Sequence, residues 1–351
     1  MPLIETLLVL VLAAHLLAAN LAGAAPLVCI WLDRRETRLH DALAGDLGRY
    51  LARQSLVWLS VALALGAATL GLVWQSDWET FYAAASRLPA SRYWWGAAEL
   101  AFYYACVGGY LLLWRSPGRV PSWCVAVRRL LGLLASTNLL YHFPLLFTVI
   151  GVFATRPDAA AVPLEFRRAI LDPEVFSQFA HHVLASFAVV GIAIMGYALR
   201  IKRQGGDAEQ ADRIARWGGR VALVPTVLQL FVGLYVLMEL PPRARDGLLG
   251  GDAIATLLFF ASLVAAIVLM HRLASVAFGE TERRNLISSM ALLLVVVTAM
   301  VGTRTRARQE QFVALAAPLS HRIHSREGRG NGSFTQQLAH KLSHLHDQST
   351  P

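Results

Sequence analysis

Apolar residues run along this chain in blocks of roughly twenty, and short basic segments separate the blocks. A helix rising about 1.5 Å per residue needs about 20 apolar residues to cross about 30 Å of hydrocarbon. The candidate stretches are Leu3 to Trp31, Ser55 to Trp74, Tyr93 to Trp114, Leu130 to Phe153, Val175 to Leu199, Val221 to Leu240, Ala253 to Phe278 and Leu286 to Val301. The pattern predicts an all-α polytopic membrane helix bundle of about eight spans over residues 1–303, followed by a flexible hydrophilic tail over residues 304–351. The first stretch has no basic n-region and continues through Pro26 to Trp31, so it reads as a retained helix rather than a cleaved signal.

Composition agrees with this pattern. A hydrophobic fraction of 56%, with 16% charged residues, is more than one soluble core of 351 residues can bury, and the mean hydropathy is +0.49. Charge then orients the bundle. Arg34, Arg35, Arg38, Arg49 and Arg53 follow the first span, and Arg115, Arg119, Arg128 and Arg129 follow the third. Arg200, Lys202, Arg203, Arg213, Arg216 and Arg220 follow the fifth, and Arg272, Arg283 and Arg284 lie around the end of the seventh. The alternate loops carry fewer cations, and these are balanced by Asp77, Glu79, Asp158, Glu165, Asp246 and Asp252. Basic loops stay cytoplasmic, so both termini are expected outside. The net charge of +9 is therefore a topology signal rather than a sign of nucleic-acid binding.

The three cysteines, Cys29, Cys106 and Cys124, form no CxxC or CxxCH, which excludes a disulfide framework and covalently attached c-type haem. Phosphate-binding glycine loops, paired catalytic carboxylates and Ser-His-Asp constellations are absent from the sequence as well.

An ionisable side chain is expensive in hydrocarbon, so those inside spans are the candidates for function. They are His15 on the first span, Glu99 on the third, His142 on the fourth, and His181 with His182 on the fifth. Counted from the outer helix ends, His15 lies roughly 18 Å deep, Glu99 roughly 12 Å, His142 roughly 16 Å and His181 roughly 13 Å, a common level in the outer half of the membrane. Asp172-Pro173-Glu174 reads as an N-cap, a proline at the first helical position and an acid in the first turn. His181 and His182 project about 100° apart on that helix, so they are alternatives for any one centre. Neutral imidazoles at one depth suit haem, whose flat apolar ring fits between helices and whose iron takes a ring nitrogen. No HxxxH of a zinc site occurs in the spans, and a transporter's broken helices are not evident.

Around these residues the chain resembles the cytochrome bd oxidases, specifically their haem-carrying subunit I, over roughly residues 1–240. The stretch LDPEVFSQFAHHVLASFAVVGIAIMGYALR is similar to the family's helix with an acidic or Asn-Pro start, Phe-x-His, and small residues leading to a basic loop. The resemblance implies that His181 ligates a low-spin b haem and that His15 serves a haem at the oxygen-reactive centre. LALGAATLGLVWQSDW resembles the family's second helix, with Asp77-Trp78 in place of Asn-Trp, and Asn138 resembles the Asn of a Ser-Asn pair. Glu99 stands where the family has two glutamates, and would hydrogen-bond, ligate or supply protons near a haem; His142 would be an added ligand or, preferably, a hydrogen-bond partner.

The departures from the family shape the expectation. The family's methionine ligand is missing from DAIATLLFFASL, Met238 being a poor substitute, and the segment PPRARDGLLGG is too short for the quinol-binding loop. The Gly-Arg-Gln-Pro-Trp motif shrinks to Gly302-Thr303-Arg304, and the ninth helix is lacking. The expected protein is a shortened haem b relative in a bacterial cytoplasmic membrane, transferring electrons in a respiratory complex to oxygen. Electrons would come from a partner membrane subunit or an external c-type cytochrome rather than quinol. The alternative is a non-catalytic anchor or electron conduit with one haem or none. His271, near the cytoplasmic end of its span, reads as structural. The tail histidines His321, His324, His340, His344 and His346 read as part of a polar tail with a short amphipathic piece over residues 334–345, and Asn331-Gly332-Ser333 as a turn.

Overall fold

Helices follow from the bilayer: hydrocarbon offers no partner for a bare N–H or C=O, so a crossing segment must bond within itself. The computed structural model describes residues 2–75, 79–114, 121–156 and 166–307, and every regular element in them is helical. The long helices are α1 (Pro2–Leu39), α2 (Ala42–Gln75), α4 (Ala90–Leu112), α5 (Ser122–Phe153), α7 (Pro173–Arg203), α8 (Ala208–Glu239), α10 (Ala253–Phe278) and α11 (Arg283–Ala307). Short helices α3 (Glu79–Ser86), α6 (Phe166–Ala169) and α9 (Pro242–Asp246) sit in the outer connections, which the hydropathy pattern leaves as loops. Among the described residues seven helices are long and apolar enough to cross a membrane by themselves. The eighth, α4, is 23 residues long and carries Arg92 and Glu99; it packs on α5 and α2 with Tyr103 and Tyr110 fully buried.

The helices overrun the predicted spans. α2 begins at Ala42 rather than Ser55, and α11 runs to Ala307, past the expected start of the tail. Helical backbone continues into the cytoplasmic layer because charged side chains there find one another. Asp33 of α1 is fully buried and is held by Arg128 and Arg129 of α5, while Arg129 Nη2 also donates to Thr37 Oγ1 at 2.6 Å. Arg128 lies 4.2 Å from the centre of the Trp114 ring, an arrangement that favours a cation over the negative π face. Asp41, in the turn between α1 and α2, joins Arg35 to Arg213 of α8. Removing one partner from a buried pair such as Asp33–Arg128 typically costs about 3–5 kcal/mol.

α1 is the central helix, packed on α2, α5 and α7. Pro26 interrupts it, since proline supplies no N–H to the carbonyl four residues back, that of Ala22. Tyr103 Oη donates to Ala22 O at 2.6 Å, and Ser136 Oγ donates to Gly23 O at 2.7 Å while accepting from Leu27 N at 3.1 Å. Neighbouring helices thus satisfy the backbone that the proline frees. α7 and α8 meet through small residues: a Cβ on Gly191 would lie 2.6 Å from Gly218 O and against Ala222 N, and a Cβ on Gly218 would lie 2.6 Å from Gly191 O.

At the outer end, α7 starts as its sequence predicts, with the Asp172 carboxylate accepting from Glu174 N at 3.0 Å and Pro173 in the first turn. Arg156 donates to Asp172 Oδ2 at 2.6 Å and to Glu174 Oε2 at 2.8 Å, tying the end of α5 to the start of α7. Ala169 of α6 packs on Leu145 and Val149 of α5, and Ala84 and Leu88 beside α3 pack on Leu146 and Ile150. The tail beyond residue 307, with its histidines and turn, and the Asp77-Trp78 pair lie outside the described residues.

Two outcomes follow from this packing. Gly191→Ala should lower the thermal unfolding midpoint in detergent by the equivalent of about 1–3 kcal/mol of overpacking, whereas Gly71→Ala, whose Cβ would meet nothing within 4 Å, should not lower it. For Asp172, burial acts to raise the carboxyl pKa, but the hydrogen bonds and charge of Arg156 outweigh it and hold the group below its ordinary 3.8. A depressed carboxyl stabilises the fold above its ordinary pKa, and the contribution is lost as pH falls toward the folded value. The stability difference between wild type and Asp172→Asn should therefore shrink between about pH 6 and about pH 3; a constant gap in midpoint would contradict the pairing.

Candidate functional site

The expected residues separate into two groups. On α1, His15 Nδ1 lies 2.8 Å from Ala62 O of α2, which accepts the ring N–H and leaves Nε2 free to offer its lone pair. α2 makes room for the ring with glycine, since a Cβ on Gly66 would come within 2.9 Å of His15 Cε1. α1 and α7 are pinned beside this point by Ser186 Oγ, which lies 3.0 Å from the buried Asn20 Oδ1 and 3.0 Å from His182 O and can give its single proton to either.

On α7, the two histidines take different neighbours, as their 100° separation requires. His181 turns to α8, where Gln229 Nε2 lies 3.4 Å from His181 Nε2 and Gly233 flanks the ring, a Cβ there lying 3.7 Å from Cε1. The other ring nitrogen, Nδ1, is buried without a hydrogen-bond partner among the described residues. His182 lies within electrostatic reach of His181, His15 and Arg304, so α1, α7 and the outer end of α11 converge here. Arg304 Nη2 also donates to Gln178 Oε1 at 3.0 Å, and Gln178 Nε2 donates to Glu174 Oε1 at 3.3 Å, one turn above the histidines. All three histidines are half-buried although they sit well inside the bundle.

Glu99 and His142 form the second group. His142 Nδ1 is 2.7 Å from Glu99 Oε1, an ion-pair separation, but the approach lies off the ring N–H direction and does not make a formed hydrogen bond. Asn138 Nδ2 donates to the backbone O of Glu99 at 2.9 Å and so holds α4 to α5 at this level. Tyr141 contacts both His142 and Phe179 of α7, which links this pair to the histidine helix. The common depth read from the sequence therefore holds two constellations: three histidines on α1 and α7, and a carboxylate with an imidazole on α4 and α5.

Several contributors escape a survey of ionisable residues. Asn20 and Gln229 are amides in apolar stretches and are conspicuous only if every polar side chain in a span is counted. Arg304 belongs by sequence to the start of the tail, and by structure to the last turn of α11. Met238 is 63% exposed at the outer end of α8, and its contact is through its backbone O to Arg245. His271 is exposed on α10.

The fit to a haem rests on residues alone. His15 presents an oriented imidazole, and His181 presents a buried nitrogen, each with a ring nitrogen that has no hydrogen-bond partner among the described residues. Among the described residues no three His, Cys, Asp or Glu side chains come together as a bare metal ion would require. A macrocycle that brings its own four equatorial nitrogens asks the protein for no more than one or two axial ligands.

No family model matches the sequence, and no curated protein matches it. Among solved structures, the chain is similar to bd oxidase from Geobacillus thermodenitrificans, with a TM-score of 0.71 and 16% identity over 88% of this chain and 87% of that one. The multi-pass helical bundle is thus a bd oxidase-like fold, recognisable in the backbone at a sequence identity too low to carry residue roles.

Proposed function

We propose that this protein is a haem b protein of a bd-like respiratory complex in a bacterial cytoplasmic membrane, with His15 and His181 as axial ligands, and that it delivers electrons to oxygen. The observation that carries the reading is the state of the two rings: one has its Nδ1 engaged by Ala62 O, and the other keeps a buried, unpartnered nitrogen. The bd oxidase-like fold supports it. When bound, haem supplies one-electron chemistry and an oxygen-binding iron.

The protein's own residues supply orientation and charge. Ala62 fixes the His15 tautomer and ring direction, which raises the quality of Nε2 as a ligand. Asn20 and Ser186 hold α1 and α7 together beside the site. Arg304 offers a cation for an acidic group at the outer edge. Glu99 and His142 stand 2.7 Å apart, so that a proton on either group can be held beside the site with the other group's charge close by.

The electron donor is a partner membrane subunit or an external c-type cytochrome. The connection from α8 to α10 is folded into α9 and a short turn at Gly247–Gly251, where Leu249 and Gly250 leave helical geometry before Asp252 caps α10, and has no length for a quinol-binding loop. The exposure of Met238 favours a second reading, an electron conduit without oxygen chemistry, because no methionine ligand reaches the histidines from α8.

Absorption of the purified, dithionite-reduced protein should show sharp b-type bands. His181→Ala should remove the low-spin component and His15→Ala should perturb the spectrum separately, while His271→Ala leaves it unchanged. A protein without b-type bands, or equal effects of all three substitutions, would sink the haem assignment. Oxygen uptake with a reduced c-type cytochrome as donor then separates oxidase from conduit: uptake abolished in His15→Ala supports the first, and no uptake supports the second.

A further inference from the structure

On the cytoplasmic side, far from the histidines, a groove of about 360 Å³ opens between α1 and α5. Its walls are Ile30, Leu130 and Leu133, and its mouth holds Trp31, Arg34 and Arg129. The level is defined by the helices themselves. Trp31 lies roughly 42 Å along α1 from Leu3, and Arg129 roughly 36 Å along α5 from Phe153 at 1.5 Å per residue. Counted the same way, Leu133 lies roughly 6 Å further into the bilayer than Arg129 and Leu27, also in the groove wall, roughly 10 Å further than Arg34, so the arginines stand toward the inner headgroup layer and these leucines toward the acyl region.

Charge at the mouth is unbalanced. Asp33 is consumed by Arg128 and Arg129, and the three arginines Arg34, Arg128 and Arg129 against one aspartate leave two positive charges. Arg129 commits Nε to Asp33 and Nη2 to Thr37 and keeps Nη1, with 24% of its side chain accessible. Arg34 is exposed and has no carboxylate partner among the described residues. The other acid on this part of α1, Glu36, is turned to α2, where it fills the space beside Gly45. Leu130 and Leu133 are exposed beside these cations.

We infer that this groove is a binding site for an anionic phospholipid of the inner leaflet, its phosphate held by Arg34 and Arg129 and one acyl chain lying along Ile30, Leu130 and Leu133. The groove combines what such a ligand requires, an apolar channel at acyl depth and unneutralised guanidinium donors at phosphate depth, with an aromatic ring at the boundary. Because Arg129 also grips Asp33, the bound lipid reinforces the contact of α1 with α5.

The test is native mass spectrometry of the full-length protein released from nanodiscs of mixed phosphatidylglycerol and phosphatidylcholine. Wild type should retain phosphatidylglycerol in preference, and Arg34→Gln should reduce that retention about fivefold, the equivalent of about 1 kcal/mol for one arginine at a lipid surface. Leu133→Trp, which fills the acyl channel without touching the charges, should reduce retention of both lipids. Equal retention of the two lipids by wild type, or retention unchanged in both variants, overturns the assignment. So does a photocrosslinker at Leu133 that captures a protein instead of lipid.

Discussion

Every feature of this protein depends on the requirement that backbone polar groups find partners where there is no water. Helices meet it internally, and wherever a helix fails to, another helix must intervene. Pro26 is the clearest instance. It removes a hydrogen bond from inside the central helix α1, and Tyr103 from α4 and Ser136 from α5 close on the carbonyls of Ala22 and Gly23. This point of α1 is thereby tied to α4 and α5, the helices that bear Glu99 and His142. The same economy permits glycine at Gly191 and Gly218, where backbones approach too closely for any side chain.

With the backbone satisfied, ion pairs at the two membrane surfaces set the vertical register. Asp33 with Arg128 and Arg129 fixes α1 against α5 on the inner side, and Arg156 with Asp172 and Glu174 fixes α5 against α7 on the outer side. The buried Asp33–Arg128 pair adds little net stability, but leaving either of its charges unpaired would be costly, so sliding α1 against α5 by a turn is opposed; the more exposed outer cluster orients the helix ends with less energy at stake. The level shared by His15, His181 and His182 is a product of these two clamps. Stability chemistry at the surfaces and the proposed redox chemistry in the interior are separated by depth.

The division of the polar interior into two groups gives the proposed function its shape. Imidazoles with nitrogens to spare stand on α1 and α7, while the carboxylate on α4 is matched with an imidazole on α5. The proposed ligands and the proton-holding residues are thereby kept on different helix pairs, connected through Tyr141 and Phe179. The similarity to bd oxidase from Geobacillus thermodenitrificans, at 16% identity, is one of fold.

Much of this was legible in the residues. Apolar blocks gave the helices, because crossing hydrocarbon leaves a polypeptide little other choice. Asp172-Pro173 gave the start of α7 to the residue, and the rarity of charge in the spans singled out His15, Glu99, His142, His181 and His182 as candidates. Helix ends were less legible, since α2 starts at Ala42 and not at Ser55, and the added turns lie where charged side chains meet partners that hydropathy does not register. The pairing of Glu99 with His142, the hold of Ala62 on His15, the arrival of Arg304 beside His182 and the repair of Pro26 by Ser136 were decided by tertiary structure alone. Depth is a count along one helix and can be read from sequence; which faces meet across helices depends on rotation and tilt, which packing of the whole bundle determines.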